Sequence, residues 1–334
     1  MTRQDGLADR LDYMDIFRGF GIILMMMGHI TFGSKFDFFI HAFHMPMFFV
    51  ISGFFFQSKK GCTLTSFILK KSKTLLVPYI VFGLFHYIIY LLLYPDTSPT
   101  SPLIHLLFIN TVGLPLAGAL WFLTALFFAD VLYFLIDRYI TNEDAKWITI
   151  IVIAGFGNCV GNILPFTLPY AMGASMVGIG LFQMGYLLRK YENAKFMKHI
   201  LNMPFYEWLI LAVATVLLIF QNGYINMREE TYDGVLLFWI NTVLAVIIGI
   251  NFSKLIYRLI HDTYICKWLC SIGRDSIVYV CLNQLVIMLI MNYISTILES
   301  WLLSRIIVLC LSLLILLILS LLFTKTKLKL LIGK

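Results

Sequence analysis

Two polar residues, Arg18 and His29, lie within a strongly apolar stretch, FRGFGIILMMMGHI, at positions 17–30. A charged side chain near the centre of a membrane helix costs roughly 2.5–3.5 kcal/mol on insertion scales, so such residues usually serve a function. Eleven helical steps turn through about 20° more than three full turns and rise about 16 Å. We therefore expect Arg18 and His29 on one face of a helix, with Asp15 close enough to pair with Arg18.

This arrangement suits a channel through the protein, in which Arg18 holds an anion at the inner mouth and His29 titrates further out. The alternative is that Arg18 reaches the membrane surface with its long side chain and that His29 is a structural residue bonded to a neighbouring helix. The presence of both residues on one face favours the functional interpretation.

The next apolar segment carries His41 and His44 at a spacing of three residues, which places both on one side of a helix. With His29 and Asp37 they are expected near the outer side of the membrane. These residue types could hold zinc, but no fourth ligand is set by the spacing, so we predict no metal. Pro46 predicts a kink in this helix, and membrane proteins tolerate broken helices where they line a cavity.

The elements that must position these residues are membrane-spanning helices. The chain has 334 residues, of which 60% are hydrophobic and 13% charged, and a soluble protein of this size could not bury so much apolar surface. A span needs about 20 apolar residues, and the candidates are 13–32, 38–57, 74–94, 119–137, 146–164, 169–188, 205–222, 234–257, 276–298 and 301–323. The segment 102–116 is too short and broken to span, and is expected to be interfacial or re-entrant. The sequence thus predicts an all-α, polytopic integral membrane protein with about ten transmembrane helices, forming a single domain over residues 1–334.

The net charge of +7 could suggest a nucleic-acid partner. However, the basic residues occur in short patches between apolar runs, which is typical of topology signals, and no nucleic-acid partner is predicted. With the N-terminus placed in the cytoplasm, all but four of the 25 Lys and Arg residues fall on the cytoplasmic side. The exceptions are Arg18 within a helix, and Lys35, Arg228 and Arg305 outside. This asymmetry predicts that both termini are cytoplasmic.

Five further motifs follow the Arg18-to-His29 spacing along the chain. They are FHMPMFFVISGFFF (43–56), LLVPYIVF (75–82), LWFLTALF (120–127), NGYINMREETYDG (222–234) and IGRDSIVYVCLNQLVI (272–287). In this order the sequence resembles the membrane acyltransferase-3 superfamily, and within it the fucose 4-O-acetylase-like bacterial sugar O-acetyltransferases. The likeness covers nearly the whole chain. It departs at Asn283, where the family often has a histidine, and asparagine cannot act as an acid or base.

The resemblance implies a ten-helix enzyme of the plasma (inner) membrane that takes an acyl group, usually acetyl, from acyl-coenzyme A in the cytoplasm. The acceptor would be a hydroxyl of a cell-surface glycan or its lipid-linked precursor. Arg18 matches the motif arginine and His29 the motif histidine. A neutral imidazole can remove the proton of the attacking hydroxyl and later protonate the leaving thiolate; formation of an acyl-histidine is the other possibility.

Basic residues at the predicted cytoplasmic side suit the phosphates of coenzyme A. They are Lys70, Lys71 and Lys73, with Lys59 and Lys60 nearby, and Arg18 within the first helix near its cytoplasmic end. The preference of membrane proteins for cytoplasmic lysines explains most of these lysines equally well.

Polar residues at the outer side are candidates to bind the acceptor: His41, Trp121, Asn226, Arg228 and Asn283. The loop 222–234 combines polar groups with aromatic rings, which suits a sugar, although it could simply be a solvated loop. Trp121 is either an anchor at the membrane interface or a platform for a sugar ring. Developing charge on the acyl carbonyl oxygen needs a donor, and His44, Trp121 and Asn283 are the candidates.

Two other classes of protein remain compatible with these patterns. A transporter or sensor of a small solute could use the same Arg- and His-lined path, although no inverted repeat is visible. An assembly partner in an envelope complex would not need Arg18 and His29 on one face. Turnover of acetyl-CoA that depends on His29 separates the enzyme from both.

Overall fold

The computed structural model describes residues 5–57, 61–108 and 114–334, almost entirely as helices. In chain order the helices are α1 (Asp5–Ile30), α2 (Ser34–His41), α3 (His44–Phe54), α4 (Leu64–Lys71), α5 (Val77–Leu93), α6 (Thr100–Phe108), α7 (Trp121–Tyr139), α8 (Glu143–Ile163), α9 (Met172–Lys190), α10 (Lys195–Ile200), α11 (Phe205–Gln221), α12 (Val235–Ile260), α13 (Tyr264–Arg274), α14 (Ser276–Ile294) and α15 (Trp301–Lys325). We call the end of the bundle that carries Arg18 the inner end, and the end that carries His29 the outer end.

Eight helical stretches in the described part of the chain are long and apolar enough to cross a membrane. The remaining two of the ten predicted spans correspond to α1, which carries Asp15 and Arg18, and to the 17-residue α11. The prediction of an all-α, polytopic membrane protein is confirmed, and the number of ten spans stays a prediction. Segment 102–116, expected to be interfacial or re-entrant, contains most of the short α6 and the start of a 3₁₀ turn at Pro115–Leu120. Residues 109–113 lie outside the described residues.

The second predicted span is broken, and the break lies before Pro46. Helix α2 ends at His41, Phe43 has the non-helical dihedrals φ −147° and ψ −19°, and α3 begins at His44. Pro46 is the third residue of α3, where its missing N–H would have had no partner within the helix. The proline therefore fits the first turn of a new helix, and it does not kink a continuous one.

Close helix contacts hold α3 in the centre of the bundle. A Cβ atom added to Gly53 of α3 would lie 1.9 Å from the carbonyl oxygen of Phe182 in α9, and one added to Gly185 of α9 would lie 1.9 Å from that of Val50. Small residues let membrane helices approach until their backbones touch. This packing fixes the helix that carries His44.

The loop 222–234 forms a small hairpin at the outer end, with β1 (Ile225–Asn226) paired antiparallel to β2 (Thr231–Tyr232). Asp233 closes the hairpin base by accepting a hydrogen bond from the Tyr224 N–H at 2.8 Å. The hairpin therefore presents residues 227–230 as an ordered turn.

Candidate functional site

A cavity of about 200 Å³ opens at the outer end of the bundle. It lies between the last turn of α1, the α2–α3 junction, the start of α7, the hairpin and α14. Six of the residues that the sequence singles out line it: His29, His41, His44, Trp121, Asn226 and Arg228. These six come from separate parts of the chain, so their convergence is a property of the fold.

Backbone carbonyl groups of α2 determine which ring nitrogen of His41 and of His44 carries the proton. Nδ1 of His41 donates a hydrogen bond to the Asp37 carbonyl oxygen at 2.6 Å, and Nδ1 of His44 donates to the Ile40 carbonyl oxygen at 2.7 Å. A carbonyl oxygen can only accept, so both protons lie on Nδ1 and each neutral ring keeps its lone pair on Nε2. The two rings lie 5.0 Å apart, edge to face. Nε2 of His44 can therefore accept a hydrogen bond in the cavity. From the sequence, His44 was instead a candidate donor to the acyl carbonyl oxygen.

In His29 the unprotonated nitrogen is Nδ1, and Gln284 of α14 holds the ring in this form. The Ala119 N–H donates to Oε1 of Gln284 at 3.2 Å, which orients the amide. Nε2 of Gln284 then lies 3.3 Å from Nδ1 of His29 and donates to it. The lone pair of the neutral His29 ring is thus on Nδ1, at the cavity wall.

Arg228 supplies the positive charge of the cavity. A Cβ atom added to Gly118 would lie 3.1 Å from Nη1 of Arg228 and 2.6 Å from Oε1 of Gln284, so the glycine leaves room for both side chains. Burial lowers the pKa of the Arg228 guanidinium from its usual value, while Glu229 opposes this shift. An arginine remains charged at neutral pH even so, and it can stabilise an anion in this cavity.

Asn226 shapes the hairpin turn that carries Arg228. Its Oδ1 accepts hydrogen bonds from the backbone N–H groups of Arg228 at 3.1 Å and Glu229 at 3.3 Å. Its Nδ2 donates to the Tyr224 hydroxyl at 3.3 Å. Asn226 is therefore placed at the cavity, and its carbonyl oxygen is engaged in holding the turn.

Glu230 fastens the same turn to the rest of the bundle. Its side chain is buried, its φ is +57°, and its carboxyl group lies against Gly173 in the first turn of α9. Burial raises the pKa of this carboxyl above its usual value, and the nearby Gly173 N–H opposes the increase. A carboxylate at a helix N-terminus is favourable, so Glu230 anchors the hairpin on α9.

Trp121 and Asn283 have contrasting positions. Trp121 is the first residue of α7, is 6% exposed and lines the cavity, so it is not an anchor at the lipid interface. Asn283 is fully buried within α14, where its Nδ2 donates to the carbonyl oxygens of Tyr279 and Val280. Asn283 does not line the cavity, and the adjacent Gln284 does.

Arg18 lies near the middle of α1, about 16 Å from His29 along the helix axis, and is half-buried. Its Nη1 is 3.7 Å from Oδ1 of Asp15 and 3.4 Å from the Gly273 carbonyl oxygen. Its guanidinium lies 5.4 Å from the centre of the Phe55 ring. Arg274, which the sequence did not single out, places Nη1 3.8 Å from the other carboxyl oxygen of Asp15. Asp15 thus joins two arginines at the inner end.

The channel expected between Arg18 and His29 is closed in this structure. Ile22, on the same face of α1, is fully buried, and the cavity ends at Met25 and Phe48. Gly21 packs so closely on Phe48 that an added Cβ atom would lie 2.8 Å from its ring. Side chains from α3 fill the route, and helix periodicity in α1 could not reveal them.

The predicted basic patch lies on a continuous helical stretch, because α4 runs through a π-helical turn (Ser72–Leu76) into α5. Lys70 and Lys73 are exposed, whereas Nζ of Lys71 pairs with Oδ2 of the buried Asp130 at 2.8 Å. Lys59 and Lys60 lie outside the described residues. Lys70 and Lys73 are therefore accessible to an anion from the solvent, whereas Lys71 is paired with Asp130.

Three features of the site were missed by sequence reasoning: the Gln284 amide, the Ala119 N–H with its neighbour Gly118, and Arg274. Gln284 and Arg274 both lie in the motif IGRDSIVYVCLNQLVI, so a signal existed, but the face of α14 toward the cavity depends on tertiary packing. Within the described residues, no group of three or more His, Cys, Asp or Glu side chains is placed to hold a metal ion.

A family model described as an acyltransferase domain matches residues 11–325 of the chain. No curated protein and no solved structure matches it. The matched segment contains both the cavity residues and the Arg18 site.

Proposed function

Because the chain belongs to the acyltransferase-3 family, we propose that it is an acetyl-CoA-dependent O-acetyltransferase of the bacterial inner membrane. Its acceptor is a hydroxyl of a cell-surface glycan or a lipid-linked sugar, as in the fucose 4-O-acetylase-like branch. Residues 1–334 form one catalytic domain with both termini in the cytoplasm. The observation that carries the proposal is the cavity that gathers His29, His41, His44 and Arg228.

His29 is the catalytic base of this proposal. The acceptor hydroxyl replaces the Gln284 amide at Nδ1, at little cost because the 3.3 Å contact is long for a hydrogen bond. Nδ1 removes the hydroxyl proton while the oxygen attacks the thioester carbonyl carbon. When the carbon–sulfur bond breaks, the imidazolium returns the proton to the leaving thiolate. The Gln284 contact therefore identifies Nδ1 of His29 as the atom that accepts the proton in this proposal.

Arg228 stabilises the negative charge that develops on the carbonyl oxygen during this attack. It is the cationic side chain among the residues that line the cavity. His41 and His44 accept hydrogen bonds from sugar hydroxyls through Nε2, and Trp121 offers a ring face to the sugar. Asn226 holds the turn that brings Arg228 into place.

The acyl donor binds from the inner end. Arg18, Lys70 and Lys73 hold the phosphates of coenzyme A, and the long arm extends about 16 Å along α1 toward His29. Met25 and Phe48 must move aside for the thioester to reach the cavity. Methionine has three flexible bonds and adapts readily to such a change.

The test is release of free thiol from acetyl-CoA by the purified protein in lipid, with and without an extract of lipid-linked glycans. The proposal expects release that needs the extract and disappears in His29→Ala. His199→Ala is the control, since His199 pairs with Glu207 away from the cavity. Absence of thiol release and of coenzyme A binding would overturn the proposal and leave solute transport to be assayed.

A further inference from the structure

A second cavity, of about 420 Å³, opens at the inner end beside α12. Its polar wall contains Asn202, Lys254 and Arg258, and its other wall contains Phe205, Trp208 and Phe252. No step of the proposed reaction uses these residues. A wall of cations facing a wall of aromatic rings is suited to an amphiphilic anion.

The Asn202 side chain brings the two cations together. Nζ of Lys254 donates to the Leu201 carbonyl oxygen at 2.7 Å and to Oδ1 of Asn202 at 3.2 Å. Nη2 of Arg258 lies 3.5 Å from the same Asn202 oxygen. Lys254 also lies 5.0 Å from the centre of the Tyr13 ring, which places the pair at the inner end of α1.

An apolar groove of about 230 Å³ continues from this cavity along α1 and α12. The cavity and the groove share the Phe252 side chain. The centre of the Phe252 ring lies 6.0 Å from that of Trp208, on which it stacks, and 5.3 Å from that of Phe20. The groove reaches Ala245, nine residues from Lys254, or about 13 Å toward the outer end. Within the part of the chain that the structure describes, its lining consists of Phe, Ile, Leu, Met, Ala and Gly residues.

We propose that this pair of cavities binds an anionic glycerolipid of the bilayer. Its phosphodiester lies between Lys254 and Arg258, and one acyl chain enters the groove past Phe252. Coenzyme A fits less well, because the amides of its arm would be buried without hydrogen-bond partners in a groove of apolar side chains. An acyl chain needs none, and basic pockets between membrane helices suit anionic headgroups.

The first experiment compares the thermal stability of the full chain in detergent with phosphatidylglycerol or phosphatidylcholine of the same acyl chains. Phosphatidylglycerol is expected to raise the apparent Tm more than phosphatidylcholine. Arg258→Gln should lose most of this difference, and Lys195→Gln, which removes an exposed charge outside the two cavities, should keep it. Equal shifts with the two lipids would overturn the proposal, as would an equal shift with inorganic phosphate or acetyl-CoA.

The second experiment tests the groove. Ala245→Trp fills it, and Ala214→Trp on the exposed face of α11 is the matched control. Native mass spectrometry with phosphatidylglycerol should show retained lipid in the wild type and in the control, and loss of that lipid in Ala245→Trp. Retention by Ala245→Trp at the wild-type level would contradict a chain in the groove.

Discussion

Gln284 donates a hydrogen bond from α14 to Nδ1 of His29 on α1 at 3.3 Å, while its own carbonyl oxygen is fixed by the Ala119 N–H. The amide therefore decides which nitrogen of His29 carries the lone pair. A catalytic histidine needs its proton on a defined nitrogen, and a neighbouring group usually sets it. Gln284 is the positioning residue for His29.

Replacing Gln284 tests this relationship. Gln284→Ala should lower kcat/KM by up to about tenfold, because the amide sets the tautomer of His29 in the free enzyme and one hydrogen bond contributes about 0.5–1.5 kcal/mol. Gln284→Glu should also move the pH profile of kcat/KM to higher pH, because a carboxylate beside His29 favours the imidazolium and a proton on Nδ1. Asn283→Ala, one residue earlier and away from the cavity, should lower stability and leave the pH profile unchanged.

Gly118 should not tolerate a methyl group. In Gly118→Ala the new Cβ would press on Gln284 and Arg228, and we expect a fall in kcat/KM with the protein still folded. Gly155→Ala is the control, because a Cβ there meets no atom within 4 Å. Full activity of Gly118→Ala would show that neither side chain needs its present position.

Arg18→Lys keeps the charge but loses the planar fork that contacts Asp15 and lies over Phe55. The KM for acetyl-CoA should rise about tenfold, since a charge-assisted hydrogen bond contributes about 1.5–3 kcal/mol. The KM for the acceptor should not change. Arg305→Lys is the matched control, because Arg305 lies 4.5 Å from the centre of the Trp301 ring at the outer end. An unchanged donor KM in Arg18→Lys would remove Arg18 from the donor site.

Glu230 should make stability depend on pH. Its pKa is raised in the folded protein, so its contribution to stability is complete below the usual value of 4.5 and is lost as the pH rises through the raised pKa. Glu230→Gln keeps an acceptor for Gly173. Its Tm should rise relative to the wild-type Tm as the pH increases from acid to mildly alkaline. Glu229→Gln changes an exposed neighbour, and its Tm should depend on pH as the wild-type Tm does. The same pH dependence of Tm in all three proteins would contradict the prediction.

Features that depend on the helix period could be predicted from the sequence. The spacing of Asp15, Arg18 and His29 predicted one continuous helix with an ion pair, and α1 with its 3.7 Å contact agrees. The apolar runs predicted the membrane-spanning helices, because their length is set by bilayer thickness.

Features that depend on which helix faces which could not be predicted. Gln284 and Asn283 differ by about 100° around α14, and only the packing of α14 against α1 selects Gln284. The closed route between Arg18 and His29 is made by Phe48, whose contact with Gly21 joins α3 to α1. At the break, the Ile40 carbonyl oxygen accepts from the Phe43 N–H at 3.2 Å and also from Nδ1 of His44 at 2.7 Å. The helix end, and not the i, i+3 spacing alone, therefore orients that ring.

The most direct test of the central claim follows radiolabelled acetyl from acetyl-CoA into the glycan fraction, using purified protein in lipid. Wild type and His199→Ala should transfer label to the glycan, and His29→Ala should transfer at least about 100-fold less, the contribution expected of a positioned base. Transfer by His29→Ala at the wild-type rate would contradict the account, because the cavity around Nδ1 of His29 would then not be where the acetyl group moves.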